Sequence, residues 1–320
     1  MRQDNEEGNR HELGIGPDMR ATTIRILALA LGVVALATAD EWFLAAVYGE
    51  DQVNCGVSNL PLPLPDLPEA SGITHSRRTT DLYWTFNDSG DPTVFGVDSN
   101  ANVTARVRVT GASLHNWEDI SAGPCAADGN CLYIADIGDN RARRDSIQIY
   151  RVAEPSARDG ATQPAERFDG RYPDGAHDAE AAFVLPDGRL FLITKDKYAG
   201  VYQFPLESGE TSTMKLVARL PLNNVTDADA SPDGNRIAVR TKENVIFYRT
   251  TELLQGDVEH GDAVSTLDVG EPQGEGVTFG PSDMLVLTGE GGGRKTQPRP
   301  GTFATLQCTF AGERNGLSGR

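Results

Sequence analysis

The sequence repeats a pattern in which acidic side chains stand at the start of a predicted strand. Carboxylates do little to favour a strand, so their recurrence at this position indicates a role in binding or catalysis. Five openings of this kind align with one another: PEASGIT (68–74), HNWEDIS (115–121), HDAEAAF (177–183), VTDADAS (225–231) and PQGEGVT (272–278).

The aligned openings supply oxygen atoms at two positions that lie two residues apart. Residues i and i+2 of a strand face the same side, so both positions are predicted to project in one direction. The first position holds Ser71, Glu118, Glu180, Asp229 and Glu275, and the second holds Glu69, Asn116, Asp178, Asp227 and Gln273.

Carboxylates in such number cannot all stay ionised close together unless a cation or hydrogen bonds compensate them. Hard oxygen ligands, with little Cys or His, favour Ca²⁺ over a transition metal. The alternative is that the acids accept hydrogen bonds from backbone N–H groups of the next repeat. Ser71 stands where the other openings have an acid, which leaves the ring of ligands incomplete. The predicted calcium ligands are Glu69, Glu118, Asp178, Glu180, Asp227, Asp229 and Glu275.

A hydrolytic role would use some of these acids together with basic side chains. Lys195 and Arg240 follow apolar runs and could hold a phosphate or carboxylate ester against a bound cation. Glu118 or Glu180 could then activate water. The alternative for Lys195 and Arg240 is pairing with loop carboxylates, which contributes little to stability. The sequence has no G-x-S-x-G motif and no zinc-ligand pattern.

The elements that must position these residues recur roughly every 48 residues, a spacing typical of propeller blades. Each opening leads to a turn, such as PDG at 186–188 or 232–234, and then to further short β-rich runs. This organisation predicts an all-β fold, a β-propeller with five blades of four antiparallel strands, with six blades as the alternative. The last repeat lacks a fourth strand, and DQVNCGV (51–57) is predicted to supply it.

The four cysteines predict two disulfides, as expected of an exported chain. Cys125 and Cys131 flank a glycine-containing turn and are predicted to close a hairpin. Cys55 and Cys308 lie near the two ends of the folded region. If the N-terminal strand closes the ring, these two cysteines stand on neighbouring strands and can be joined.

The N-terminal segment is typical of a secretory signal: Arg20 and Arg25 precede an apolar run that ends in an Ala37-Thr38-Ala39 cleavage motif. We expect a secreted or cell-envelope protein, with membrane association only through this segment if it is not cleaved. The predicted divisions are a polar tail (1–18), a signal peptide or membrane anchor (19–39), a linker (40–51), the propeller (52–310) and a C-terminal tail (311–320).

The composition excludes one class of partner. The chain of 320 residues carries 29 Lys and Arg against 46 Asp and Glu, a net charge of −17. Phosphate-backbone binding needs clustered positive charge, so nucleic acid is not an expected partner. The 39% of hydrophobic residues is enough for a packed core. We expect a monomer whose partner is a small anionic ligand or a protein of the cell envelope.

Several motifs occur in an order that is familiar from other proteins: NDSG, NWEDI, DIGDN, YPDGAHDAEA, ASPDG and EPQGEG. Together they resemble a group of exported bacterial β-propeller proteins of largely unknown function, over roughly residues 52–310. More distantly, the acid-and-glycine strand opening is similar to that of phytase-like esterase and SdiA-regulated propellers. The resemblance implies a propeller fold. Because the distant relatives include Ca²⁺-dependent hydrolases, it also points to cation-dependent ester or phosphoester hydrolysis. The alternative is a non-catalytic propeller that binds a ligand or a protein.

Overall fold

The computed structural model describes residues 53–125, 129–256, 258, 261–294 and 297–310. The predicted N-terminal tail, signal segment and linker lie outside these residues, as does the predicted C-terminal tail at 311–320. The divisions expected there stay predictions. No helix in the described ranges has the length and apolar character needed to cross a membrane.

Five small sheets correspond to the five repeats, and the main strands of each sheet follow one another in the chain, except for the N-terminal strand. Strand β1 (Val53–Leu64) comes first in the chain and belongs to the last sheet. Blade 1 contains β2 (Ala70–His75), β3 (Tyr83–Asn87), β4 (Thr93–Val97) and β5 (Val103–Arg108). Blade 2 contains β6 (Trp117–Pro124), β7 (Asn130–Asp136) and β8 (Ile147–Ala153), then β10 (Glu166–Arg171), while the short β9 (Gly160–Ala161) pairs with β5.

The remaining blades follow the same plan. Blade 3 contains β11 (Ala179–Val184), β12 (Leu190–Thr194), β13 (Ala199–Phe204) and β15 (Lys215–Leu220), while the short β14 (Ser212–Thr213) pairs with β10. Blade 4 contains β16 (Val225–Ala230), β17 (Arg236–Thr241), β18 (Asn244–Arg249), helix α1 (Thr250–Gln255) and β19 (Asp262–Ser265). After a 3₁₀ turn (Leu267–Val269), blade 5 contains β20 (Gln273–Phe279), β21 (Met284–Glu290) and β24 (Gly301–Phe310), with a small hairpin of β22 (Gly293–Arg294) and β23 (Gln297–Pro298).

The first strand of each blade lies innermost, and each of these strands contacts the innermost strands of both neighbouring blades. The contacts run from β2 to β6, β11, β16, β20 and back to β2, which closes a ring. The prediction of a five-bladed β-propeller is therefore confirmed.

The apolar core lies between neighbouring blades. Trp84 and Phe86 of blade 1 pack with Trp117 of blade 2, and the rings of Phe86 and Trp117 meet edge to face at 5.7 Å. A sheet that is covered on both faces needs apolar residues on both faces. This explains inner strands such as AEAAFV of β11, in which every residue is buried.

The ring is closed by the N-terminal strand, as the sequence predicts. Strand β1 pairs antiparallel with β24, and this register sets Cys55 opposite Cys308. A disulfide joins these two residues across 253 positions of sequence, and a second joins Cys125 to Cys131 at the β6–β7 hairpin. Both predicted disulfides are confirmed.

Removing the ring-closing disulfide should destabilise the protein more than removing the hairpin disulfide. In the chain-entropy model, the long loop closed by Cys55–Cys308 contributes about 5 kcal/mol, against about 2 kcal/mol for the short loop of Cys125–Cys131. We expect Cys55→Ala/Cys308→Ala to lower the free energy of unfolding by the larger amount in guanidinium titrations. Cys125→Ala/Cys131→Ala is the matched control, and equal losses in the two variants would contradict the ring-closing role.

Candidate functional site at the acidic mouth

Every inner strand carries a β-bulge close to its start, where the register of pairing with the second strand shifts. A bulge inserts one unpaired residue and redirects its side chain. Since the bulge recurs in all blades, five equivalent side chains project from the same end of the ring. The bulged residues are Ser71, Glu118, Glu180, Thr226 and Glu275.

This register agrees with the sequence alignment in four blades and corrects it in blade 4. There the bulge falls at Thr226, between Val225 and Asp227, and not at Asp229. The opening VTDADAS has acids at two alternate positions, so the pattern of acids alone could not fix the register. Thr226 instead donates a hydrogen bond to the carbonyl of Glu275 (2.8 Å), as Ser71 does to the carbonyl of Glu118 (3.0 Å).

The three bulged glutamates lie at one end of the ring among further carboxylates, a surface that we call the acidic mouth. Glu180 and Glu275 are each 7% exposed, and Glu118 is partly buried. Their charges act on one another and on their carboxylate neighbours strongly enough to raise pKa values. The acidic mouth comprises Glu69, Asp88, Glu118, Asp178, Glu180, Glu275 and Glu290.

Burial and mutual repulsion make several of these carboxyls weaker acids than usual. Burial, followed by the charges of Glu180 and Asp178, holds the pKa of Glu118 well above its ordinary range. Burial, with the charges of Glu275 and Asp88, raises the pKa of Glu290 to about 7. Glu290 is therefore partly protonated near neutral pH, which is the behaviour expected of a carboxyl crowded by other carboxylates.

Lys195 lies at the acidic mouth, where the sequence predicts it. Its ammonium group forms a salt bridge with Glu180. Burial acts to lower the pKa of Lys195, but the hydrogen bond to Glu180 and its charge outweigh burial, so the pKa is raised and the ammonium is retained. For Glu180, burial outweighs the opposing effect of Lys195, and the pKa is raised.

Amide side chains hold two of the bulged glutamates. The side-chain amide of Asn116, just before β6, donates a hydrogen bond to the carboxylate of Glu118. The side-chain amide of Gln273 donates to the carboxylates of Glu275 and, at 3.0 Å, of Glu290. These amides occupy the second aligned position of the sequence pattern. The sequence predicts that the first and second aligned positions face the same side. This accounts for the hydrogen bonds between amide and carboxylate side chains in blades 2 and 5.

The other two predicted ligands at the acidic mouth accept hydrogen bonds from neighbouring loops. The carboxylate of Glu69 accepts a hydrogen bond from the hydroxyl of Ser89, and Asp178 accepts one from the N–H of Asp139 (2.6 Å). Both residues are partly exposed. They can be reached from solvent at the mouth.

Asp119 and Asp227 form a buried carboxyl pair, and the sequence pattern singled out Asp227 but not Asp119. Both are 0% exposed. Asp119 accepts hydrogen bonds from the N–H groups of Ile120 (2.6 Å) and Ala182 (2.5 Å). The two side chains also hydrogen-bond each other. Asp119 directly follows the bulged Glu118 in the sequence. The residue after a bulge points inward and not toward the mouth, so two adjacent acids at this point could have indicated a buried carboxyl.

The surroundings of the pair favour the bound proton. Burial first, and then the charge of Asp227, keeps the pKa of Asp119 well above its ordinary range. Burial outweighs the hydrogen bonds from Asp119 and from the N–H of Val277, and raises the pKa of Asp227 to about 8. One proton between the two carboxyls removes most of the repulsion that two buried charges would create.

The predicted roles of Asp227 and Asp229 as calcium ligands are corrected by these contacts. Asp227 binds the N–H groups of Ala228 and Val277, each at 2.6 Å. Asp229 binds the hydroxyl of Thr278 (2.6 Å) and the N–H of Phe279 (3.0 Å) on the next blade. Their oxygens are occupied by the inner strands, which is the alternative that the sequence left open.

Arg240 has a structural role, which corrects its predicted part in holding a substrate. Its side chain is 0% exposed. The guanidinium group donates to the carbonyls of Gly276 and Thr288 and forms a salt bridge with Glu271. Arg240 therefore joins blade 4 to blade 5, and removing one partner of such a buried pair typically costs about 3–5 kcal/mol.

A preassembled metal centre is not present in the part of the chain that the structure describes. No three Asp, Glu, His or Cys side chains there come together in a geometry that could hold a metal ion. Calcium stays a prediction. The residues that remain available for it are Glu69, Glu118, Asp178, Glu180 and Glu275, all of them at the acidic mouth.

Comparison with known proteins identifies similar structures but no sequence family. No protein-family model and no curated protein matches the sequence. Among solved structures, the PQQ-bound form of an aldose sugar dehydrogenase from Streptomyces coelicolor has 11% identity and a TM-score of 0.49, covering 81% of this chain and 99% of that chain. A gluconolactonase from Xanthomonas campestris has 12% identity and a TM-score of 0.42, covering 80% and 95%. At these values the likenesses carry no argument about activity.

The buried pair should make stability fall as pH rises. The ordinary pKa of an aspartate is 3.8, and that of Asp227 in the folded protein is about 8. The stabilisation from the bound proton is therefore complete below pH 4 and is lost as the pH rises through 8. We expect the free energy of unfolding in guanidinium to be lower at pH 8 than at pH 5 by at least about 1.4 kcal/mol, the equivalent of one pKa unit.

Asp227→Asn should reduce this pH dependence, because the amide keeps an acceptor for the backbone N–H groups and does not titrate. A smaller dependence in the same direction should remain from Glu118 and Glu290, whose pKa values are also raised. An unchanged slope in Asp227→Asn would show that the pair does not share a proton.

Proposed function

We propose that the acidic mouth binds a divalent cation, with Ca²⁺ as the expected ion, and that the protein uses it in the hydrolysis of an ester. The observation that carries this proposal is that Glu118, Glu180 and Glu275, one from each of three blades, occupy equivalent bulge positions at the same end of the ring. The raised pKa of Glu118 supports it, because carboxyls that repel each other in the free protein gain most from a cation.

Binding requires the glutamate side chains to turn toward a common point. The present partners of these glutamates are the side chains of Asn116, Lys195 and Gln273. Glutamate has three rotatable bonds, so exchanging these contacts for a cation leaves the backbone of the ring in place. The ring itself is held by the buried acids and by Arg240. Rigid strands with adjustable ligands suit Ca²⁺, which accepts variable geometry and six to eight oxygen ligands.

The chemistry assigned to the residues follows from their charges. A divalent cation, when bound, polarises the ester and lowers the pKa of the carboxyls around it. In its ionised form, which the cation would favour, Glu118 accepts a proton from the attacking water. As the bond to the leaving oxygen breaks, Glu118 returns this proton to the alcohol. Lys195, which stays an ammonium, stabilises the negative charge that develops on the ester oxygen.

We also propose that the protein acts outside the cytoplasm, either secreted or in the cell envelope. The two disulfides support this location, because disulfides persist in oxidising compartments. Millimolar Ca²⁺ is the relevant range for extracellular calcium modules. Weak binding would therefore still be consistent with function.

Calcium should stabilise the protein and release protons when it binds. At a Ca²⁺ concentration 100 times the Kd, we expect the Tm to rise by about 5 °C. Isothermal titration calorimetry in two buffers of different ionisation enthalpy should show proton release at pH 7, since Glu290, with a pKa of about 7, is partly protonated there and the raised pKa of Glu118 acts in the same direction. Glu180→Gln should weaken binding at least about tenfold.

The matched control is Glu210→Gln, which removes one exposed carboxylate outside the acidic mouth. It should leave affinity and proton release unchanged. Cation binding at the mouth would be refuted if millimolar Ca²⁺ produced no Tm shift. It would also be refuted if Glu180→Gln and Glu210→Gln lost Ca²⁺ affinity equally.

Hydrolysis should be detectable with a panel of phosphate, lactone and carboxylic esters, assayed with Ca²⁺ and with EDTA. We expect turnover that depends on Ca²⁺ and that falls about 100-fold or more in Glu118→Gln, the range typical of a lost general base. Calcium binding without turnover across the panel would reject the hydrolase and leave the non-catalytic ligand-binding propeller.

A further inference from the structure

A cavity of about 390 Å³ adjoins the acidic mouth on its blade 2 side. We call it the arginine groove. The loop after β7 forms one wall, and the segment that enters β6 forms the other. Its lining residues are His115, Asn116, Gly138, Asp139, Asn140, Arg141, Arg143 and Arg144.

The groove is positively charged although the whole chain carries a net charge of −17. Arg141 and Arg143 are exposed, and within the described residues no hydrogen bond or ion pair engages either guanidinium group. Asp139 contributes one carboxylate to the lining. That carboxylate accepts the N–H groups of Arg143 (2.6 Å) and Arg144 (2.7 Å), so the backbone compensates its charge.

Arg144 fixes the loop that carries these free arginines. Its guanidinium forms a salt bridge with buried Asp136 (2.9 Å) and donates to the carbonyl of Gly138 (2.9 Å) and to Gln148. Ala142, between the free arginines, has a positive φ of 47°. The bonds of Arg144 anchor the loop at its base, and Arg141 and Arg143 lie exposed on either side of the turn at Ala142.

A second cavity, of about 300 Å³, lies on the other side of the same loop and is also lined by Arg143, together with Arg171 and Tyr172. The hydroxyl of Tyr172 is buried, and within the described chain it has no hydrogen-bond partner. Unused donors thus occur on both sides of Arg143. The Tyr172 hydroxyl is enclosed, and Arg171 donates to Thr213 (3.0 Å), so the donors that a ligand can engage at this loop without displacing existing bonds are those of Arg141 and Arg143.

The arginine groove meets the acidic mouth at Asn116. This residue lines the groove and donates to Glu118. Gly138 packs directly against both Asn116 and Glu118, and a Cβ at this position would collide with them. A group held in the groove therefore lies beside the carboxyl that we assign as the base.

We propose that the arginine groove binds an oxyanion group and that the substrate is an ester which carries such a group. Guanidinium pairs match the geometry of phosphate and carboxylate oxygens and form charge-assisted hydrogen bonds with them. The substrate class rests on the proposed hydrolysis. Anion binding by the groove does not, and it can be tested separately.

The test measures binding of inorganic phosphate, with acetate as the carboxylate arm, to the full chain by isothermal titration calorimetry without Ca²⁺. We expect phosphate to bind, and Arg141→Ala/Arg143→Ala to weaken it at least about tenfold. The control is Arg108→Ala/Arg158→Ala, which removes two exposed arginines of blade 1 and its neighbouring loop and makes the same change in charge. Tighter binding of phosphate than of acetate assigns a phosphate group, and the reverse assigns a carboxylate.

No binding of either ion, or an equal loss in the control variant, would overturn the proposal. The outcome is separable from the proposed function. Ca²⁺ binding at the mouth should be retained in Arg141→Ala/Arg143→Ala. If this variant hydrolyses neutral and anionic esters with an unchanged ratio of kcat/KM, the groove does not select the substrate even if the mouth is catalytic.

Discussion

The fold depends on hydrogen bonds that the innermost strands cannot make within their own sheets. Five strands meet around the axis without pairing with one another, and each bulge frees further backbone groups. A buried N–H group without a partner costs about 1–3 kcal/mol. Asp119, Asp227 and Asp229 meet this requirement by accepting N–H groups from the next blade. These acids of the inner strands therefore join the blades.

The same strands thus supply two sets of carboxylates with different roles. The inner set is enclosed, shares protons and fixes how blades meet, and Arg240 adds a buried ion pair between blades 4 and 5. The carboxylates of the outer set, at the bulges, have no comparable contacts with the backbone, and the pKa values of Glu118 and Glu180 in this set are raised. Repulsion among several such carboxyls at one mouth destabilises the free protein. Loss of stability of this kind is expected where residues are arranged for binding.

Much of the architecture was predictable from the sequence because it depends on local patterns that repeat. Strand openings, PDG turns and the cysteine positions predict five blades, the closing strand and both disulfides. The site was less predictable, because the position of the bulge decides which side chains face the mouth and which face inward. A shift of one residue reverses the direction of a side chain. Glu118, Glu180 and Lys195 lie where the pattern sets them. Asp229 and Arg240 do not, since VTDADAS allows two registers and an arginine after an apolar run can also turn inward.

The most direct test of the central claim is a pair of crystal structures grown with Ca²⁺ and with EDTA, with anomalous scattering used to locate the ion. The account predicts a single ion near the axis of the ring, with oxygens of Glu118, Glu180 and Glu275 at about 2.3–2.6 Å. It also predicts that the inner pair of Asp119 and Asp227 is unchanged between the two structures. An ion bound elsewhere, or identical glutamate side chains and no ion in both crystals, would contradict it.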